Sequence, residues 1–239
     1  MNIAIMQPYL FPYIGYFQLM NLVDSWVIFN DVQFVNKGWV NRNRILHPDK
    51  QKEWQYITIP IARHYRFRNI KNIKVDDNTW KETFLRKLSI YRKCAPYYQE
   101  TIKFIKSSFN NIQTTYLSEI LENSLKQTAY ILDITPSFYK QSDLPNFSNN
   151  VSHPGQWALR ISEYFEATAY FNPAGGSDIF FEDEFINSHI SLKFVKPSIK
   201  SYNQDRRNFV PSLSIIDVLM WNGIEEAKKM AKTQGEIIA

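Results

Sequence analysis

Cysteine, histidine and glycine are all scarce in this chain, and each scarcity excludes something. A single cysteine, Cys94, in 239 residues can form neither an internal disulfide nor a thiolate metal cluster, so nothing asks for an oxidising compartment. The four histidines, His47, His64, His153 and His189, show no H-x-x-x-H or H-E-x-x-H spacing, and no metal site is expected. Seven glycines are too few for collagen-like repeats or a flexible low-complexity tail. The N-terminal apolar run is broken by Pro8, Pro12 and Asp24 before the ~20 residues that a membrane span needs. It has no basic n-region or A-x-A cleavage pattern, which leaves a cytoplasmic protein as the expectation.

What is present is aromatic and basic. Phenylalanine, tryptophan and tyrosine make up 15% of the residues, and the formal charge is +5 with an isoelectric point near 9.1. Such a length fits one domain over residues 1–239. Excess cations attract an anionic partner, for which a sugar diphosphate, a nucleotide or an acidic carrier protein would serve. No RNP, KH or zinc-finger pattern points to nucleic acid. The run RHYRFRNIKNIK (63–74) interleaves Arg63, Arg66, Arg68, Lys71 and Lys74 with apolar residues, as a strand or hairpin with one basic face does.

Periodicity predicts an α/β protein with a mainly parallel, Rossmann-like sheet and a helical middle segment at about 79–132. Asn2 to Met6 and Ser25 to Asn30 read as strands around an amphipathic helix from Ile14 to Val23. Residues 54–61 alternate like a strand that Pro60 ends. Thr79 and Glu82 have capping-box spacing, and further helices are expected around Tyr98 to Phe109 and Tyr116 to Leu132. Strands at Ile134–Tyr139, Ala169–Phe171 and Ile190–Val195 follow, with a helix after His153-Pro154. A last helix, capped by Pro211-Ser212, should end near Gly223.

In open α/β sheets ligands sit beyond the carboxyl ends of the strands. That rule nominates Gln7 and Tyr9 after the first strand, Asp31 and Gln33 after the second, and Gly175 and Gly176 in the loop 172–177. The densest polar and aromatic cluster is NDVQFVNKGWVNRNR (30–44). In it Asp31 can accept a proton, Lys37 and Arg42 can hold phosphate, and Asn41 and Asn43 can bond sugar hydroxyls. Gly15, in the tetrad Tyr13-Ile14-Gly15-Tyr16, would let a ligand approach the helix backbone, with Tyr13 beside it. His153, at a helix start, is a second candidate base. Tyr202 and Gln204 form a C-terminal polar group near Asp217, which sits among isoleucines and leucines and so must be hydrogen-bonded.

Two resemblances add to this. The order strand, Pro-containing loop, Gly-bearing helix and strand looks like the start of the nucleotidyltransferase fold, and the step into N-D-V-Q-F is similar to that in pantothenate synthetases. This chain has Tyr13 and Tyr16 where those enzymes carry the histidines of H-x-G-H, so the likeness extends to the fold and not to adenylation. Over nearly the whole chain, QPYLFPYIGYF, DVQF with NRNRIL, YRKCAPYY and FVPSLSIIDVLMWNG resemble the WbqC-like family, which is associated with surface-polysaccharide (O-antigen) gene clusters. The loop NPAGGSDIF (172–180) departs from that family's Ser-Gly turn.

The second resemblance implies a transferase that moves an acyl or aminoacyl group, glycyl-like, from a carrier-protein thioester to the amine of a nucleotide-linked amino sugar. A thioester is already activated, so neither a cofactor nor an internal nucleophile is called for. The alternatives are a non-catalytic partner of a carrier protein or glycan enzyme, and an ATP-dependent ligase.

Overall fold

A computed structural model describes every residue except Asp76, Asn78, Asn111 and Ala239; for Arg63 and Arg66 it describes the backbone alone. The first two of the five basic side chains in the expected basic face therefore lie outside the described residues.

The amino-terminal half alternates as expected. β1 (Asn2–Met6), α1 (Ile14–Met20) and β2 (Ser25–Ile28) are followed by β3 (Arg42–Leu46) and β4 (Trp54–Thr58). The middle is helical: α2 (Trp80–Lys87), α3 (Tyr98–Asn110) and α4 (Leu117–Ile131). The carboxyl-terminal part contains β5 (Ser137–Lys140), α5 (Gln156–Tyr164), β6 (Ala169–Pro173), α6 (Glu182–Asn187), β7 (Ser191–Lys196), α7 (Ile215–Lys232) and β8 (Glu236–Ile238).

Six strands form one sheet in the order β5-β2-β1-β6-β7-β8. All neighbours pair in parallel except β7 and β8, so the chain has the mostly parallel, Rossmann-like α/β sheet that periodicity predicted. The central strands β1, β2 and β6 are buried on both faces, as parallel strands with helical crossovers are, whereas the edge strands β5 and β8 are exposed. Along β1 the side chains alternate between two cores. Ala4 joins the cluster of α1, α7 and the middle helices, whereas Ile3 and Ile5 join Val27, Leu159, Ile161 and Phe185 against α5 and α6. From β1 the chain builds outward to β2 and β5, then returns to β1's other side with β6. The order reverses between β1 and β6, and their diverging loops leave a crevice at the carboxyl ends.

Several local expectations are corrected. The end of the cluster 30–44, including the expected ligand-holding residues Arg42 and Asn43, belongs to β3, paired antiparallel with β4 from Arg42 opposite Thr58 to Leu46 opposite Trp54. The stretch 63–74 forms two 3₁₀ turns, Arg63–Phe67 and Ile70–Asn72, in place of a strand. Thr79 caps nothing: its own amide and hydroxyl both donate to Asp77 Oδ1 at 2.7 Å. The last helix is capped by Ser214, whose hydroxyl oxygen accepts from the Ile216 amide. Gly223, at φ 73° and ψ 177°, is non-helical and divides α7 at a kink, so the first helical segment ends where this glycine was expected to stop it, and a second segment follows. A Cβ there would meet the Tyr97 ring at 2.7 Å, so both conformation and space require glycine.

Gly15 is also corrected. All of α1 is buried, and a Cβ on Gly15 would meet Tyr13 at 2.5 Å and Pro197 at 2.6 Å. This glycine serves packing, and no ligand reaches its backbone.

Candidate functional site

A cleft of about 420 Å³ opens at the β1/β6 reversal. Its floor is the carboxyl ends of the two strands, Ile5, Met6 and Gln7 from β1 and its exit, Tyr170, Asn172 and Pro173 from β6. Phe29, Tyr9, Tyr13, Trp39 and Trp157 wall it; Gly175, Gly176, Ile179, Phe180 and Pro154 form its lip. None of the lining residues is charged. The chemistry offered is aromatic faces with a few amides, suited to stacking and to orienting a neutral polar group.

The QPYLFPY segment makes one wall because its backbone is pinned from behind. Phe11 has a left-handed φ of 40°, a strained value for an aromatic residue. Its ring is sealed against Phe84, Phe104 and Phe109 at 6.0–6.4 Å. Its carbonyl accepts from Asn43 Nδ2 at 2.8 Å and Ser214 Oγ at 2.7 Å, and Asn43 also donates to Leu10 O at 2.9 Å. Anchored there, the chain turns Tyr9 and Tyr13 outward into the cleft.

Burial pushes both phenols above their ordinary range, so they remain protonated donors. Tyr170 is pushed up by burial too and donates to Asn172 Oδ1 at 2.9 Å. Asn172 Nδ2 turns back to the Pro173 carbonyl, and a Cβ on Gly176 would meet it at 2.5 Å. Gly176 thus leaves room for this amide, whereas a Cβ on Gly175 would meet nothing within 4 Å.

Asn43→Ala removes two of the three side-chain bonds that hold the strained turn, taking the Asn43 donor from the Leu10 carbonyl and leaving the Phe11 carbonyl with Ser214. The expected loss is about 2–3 kcal/mol of stability, read from the urea midpoint. An unchanged midpoint would mean that the turn keeps its shape without Asn43.

Of the residues nominated from sequence, Gln7, Tyr9, Tyr13, Gly175 and Gly176 come together around the cleft. The remaining nominees lie elsewhere. Asp31 pairs with Lys71 Nζ at 2.9 Å and accepts from Asn69 at 2.9 Å. Gln33 is exposed and forms an isolated antiparallel bridge with Asn69, and Lys37 is exposed in a turn at φ 63°. Arg42 donates to the carbonyls of Gly38 and Lys37 and lies 4.0 Å from the centre of the Tyr56 ring. Asn41 is buried and bonds Ile59 O, and Asn43 is the anchor just described.

Tyr202 and Gln204 face a different interior site, the carboxylate of Asp217. They donate to its Oδ2 at 2.6 and 2.8 Å, while Tyr91 donates to Oδ1 at 2.6 Å. His153 precedes Pro154 in the chain but does not itself line the cleft; its Nε2 is 2.9 Å from Glu184 Oε2 and its ring 4.5 Å from that of Phe181.

Sequence reasoning passed over the walls, namely Phe29, Trp39, Trp157, Tyr170 and Phe180. Three of them carried a signal, since Phe29 directly follows β2, Trp39 lies in the polar and aromatic cluster 30–44 and Phe180 lies in the loop 172–180. Among the described residues no three His, Cys, Asp or Glu side chains are grouped to hold a metal, and no helix is long and apolar enough to cross a membrane.

The chain is a mostly parallel α/β protein with a cleft at its strand-order reversal, the place where open α/β sheets take ligands. The chain belongs to the WbqC-like protein family, whose model it matches over residues 7–229. It is similar to Rv1507c of Mycobacterium tuberculosis, described as an uncharacterized protein, at 26% identity over 228 residues, covering 94% of this chain and 95% of that one. No solved structure matches.

Proposed function

We propose that the chain is a transferase of surface-polysaccharide assembly that moves an acyl or aminoacyl group from a carrier-protein thioester to the amine of a nucleotide-linked amino sugar. The observation that supports this best is the uncharged aromatic and amide lining of the cleft. Such walls stack on a base or a sugar face, and the Gln7 and Asn172 amides suit hydroxyl or acetamido groups.

In the reaction the sugar amine attacks the thioester carbonyl, a C–N bond forms and the C–S bond breaks. The proton lost by nitrogen leaves with the carrier thiol. Positioning supplies much of the rate because the donor is already activated. His153 is the base in this reading: Glu184, 2.9 Å from Nε2, would hold its ring and steady the imidazolium. Asp31 is the rival base, although its carboxylate is engaged by Lys71 and Asn69. The net charge of +5 favours approach of an acidic carrier protein.

The test is incubation with a panel of nucleotide-linked amino sugars and aminoacyl-loaded carrier proteins, read by mass spectrometry. Transfer to one sugar, recorded as the added acyl mass, is the expected result. No transfer across the panel, with an ATP analogue binding by calorimetry, would replace this reading by ATP-dependent ligation.

A further inference from the structure

Behind Tyr9, Tyr13 and Trp39, the same residues that wall the cleft, a side chamber of about 250 Å³ extends toward β3. Its character differs from that of the cleft because Arg44 lines it. Arg44 occupies β3 opposite Tyr56, with its guanidinium 5.2 Å from the Trp39 ring and 5.3 Å from the Trp54 ring. One of its terminal nitrogens donates to the Ser212 carbonyl at 3.3 Å. Its Nε–H is shielded from solvent and has no hydrogen-bond partner. Among the described residues no carboxylate lies within 4 Å of it, and no aspartate or glutamate lines either cavity.

A half-buried guanidinium with an unfilled donor and no counter-charge, flanked by indole rings, has the chemistry of an oxyanion seat. Its planar fork matches phosphoryl or carboxylate oxygens, and the low dielectric between the rings strengthens the attraction. We propose that the side chamber receives the oxyanion end of a ligand whose uncharged part lies in the main cleft, with Arg44 as the cation that holds it. The identity of that ligand rests on the proposed function, in which the oxyanion is the diphosphate of the nucleotide-linked sugar. The chamber then explains how a cleft without charged walls accepts a charged substrate.

The experiment is calorimetric titration of inorganic pyrophosphate, and separately of malonate, into the wild type, Arg44→Gln and Arg44→Lys, each checked for folding by near-ultraviolet circular dichroism. Binding of pyrophosphate is expected to weaken about ten- to hundredfold in Arg44→Gln and less in Arg44→Lys, and to weaken in every protein as salt is added. Tighter binding of malonate would make the oxyanion a carboxylate and leave the seat in place. Equal affinity in wild type and Arg44→Gln, or no binding of either anion to the wild type, would overturn the proposal. If Arg44→Gln does not fold, Arg44→Lys and a wild-type crystal soaked in pyrophosphate decide, and density anywhere except against Arg44 rejects the seat. An Arg44-dependent anion site in a protein that transfers nothing would leave this inference standing and remove the transferase reading. Transfer with an unchanged KM in Arg44→Gln would do the reverse.

Discussion

Asp217→Ala is expected to lower stability by about 3–5 kcal/mol, because three donors each worth about 1–3 kcal/mol when stranded lose their acceptor together. Asp217 is 0% exposed on α7, and its carboxylate gathers the Tyr91 and Tyr202 hydroxyls and the Gln204 amide. Each partner is itself committed. Tyr91 accepts from the Leu46 amide at the end of β3, and Gln204 bonds the Val210 backbone in both directions. The carboxylate thus ties α7 to the hairpin and to the loop that precedes it.

Asp217→Asn keeps the shape and some acceptor capacity, so a smaller loss of about 1–2 kcal/mol is expected. The pH dependence has a definite sign. Burial raises the Asp217 carboxyl above its ordinary 3.8, against the hydrogen bonds that pull it down, so in this window the folded state holds a proton that the unfolded state has released. Stability from this group is complete below about pH 3.8 and is lost as pH rises through the folded value. The asparagine variant lacks that loss, so the gap between wild type and Asp217→Asn should narrow from pH 4 toward pH 7 in urea melts. A gap that widens would mean that the native network prefers the ionised carboxylate.

His153→Gln is expected to lower kcat of the proposed transfer by about 10²–10⁴-fold, the usual contribution of a positioned base. Stability should change by less than ~1 kcal/mol, since the His153–Glu184 pair is partly exposed, at 20% and 28% of the two side chains. Glu184→Gln should cost less, because the amide oxygen can still accept a hydrogen bond from the ring. Full turnover in His153→Gln together with loss in Asp31→Asn would move the base to Asp31.

How far the sequence could be read differs between elements. β1, α1 and β2 were legible because strand and helix periods impose alternation and a helical stripe on apolar residues whatever surrounds them. Gln7, Tyr9 and the loop at 172–177 were legible for a topological reason, since residues just past parallel strands must emerge at the sheet's carboxyl edge. The placement of Asn41, Arg42 and Asn43 was not legible, because polarity says nothing about partner or direction. A hairpin pairing across residues 42–58 turned the two amides inward onto backbone carbonyls, with Asn43 reaching 32 and 33 residues back along the chain. Tyr202 and Gln204 were polar for the sake of Asp217.

Composition and periodicity alone determined the α/β class, the helical middle and the parallel sheet, since these depend on short-range spacing of apolar side chains. Only the tertiary structure decided which aromatics wall the cleft and where Arg44 faces. Both depend on contacts between segments far apart in sequence, such as Trp39 with Leu10 and Trp157 with Phe29, which no local pattern encodes.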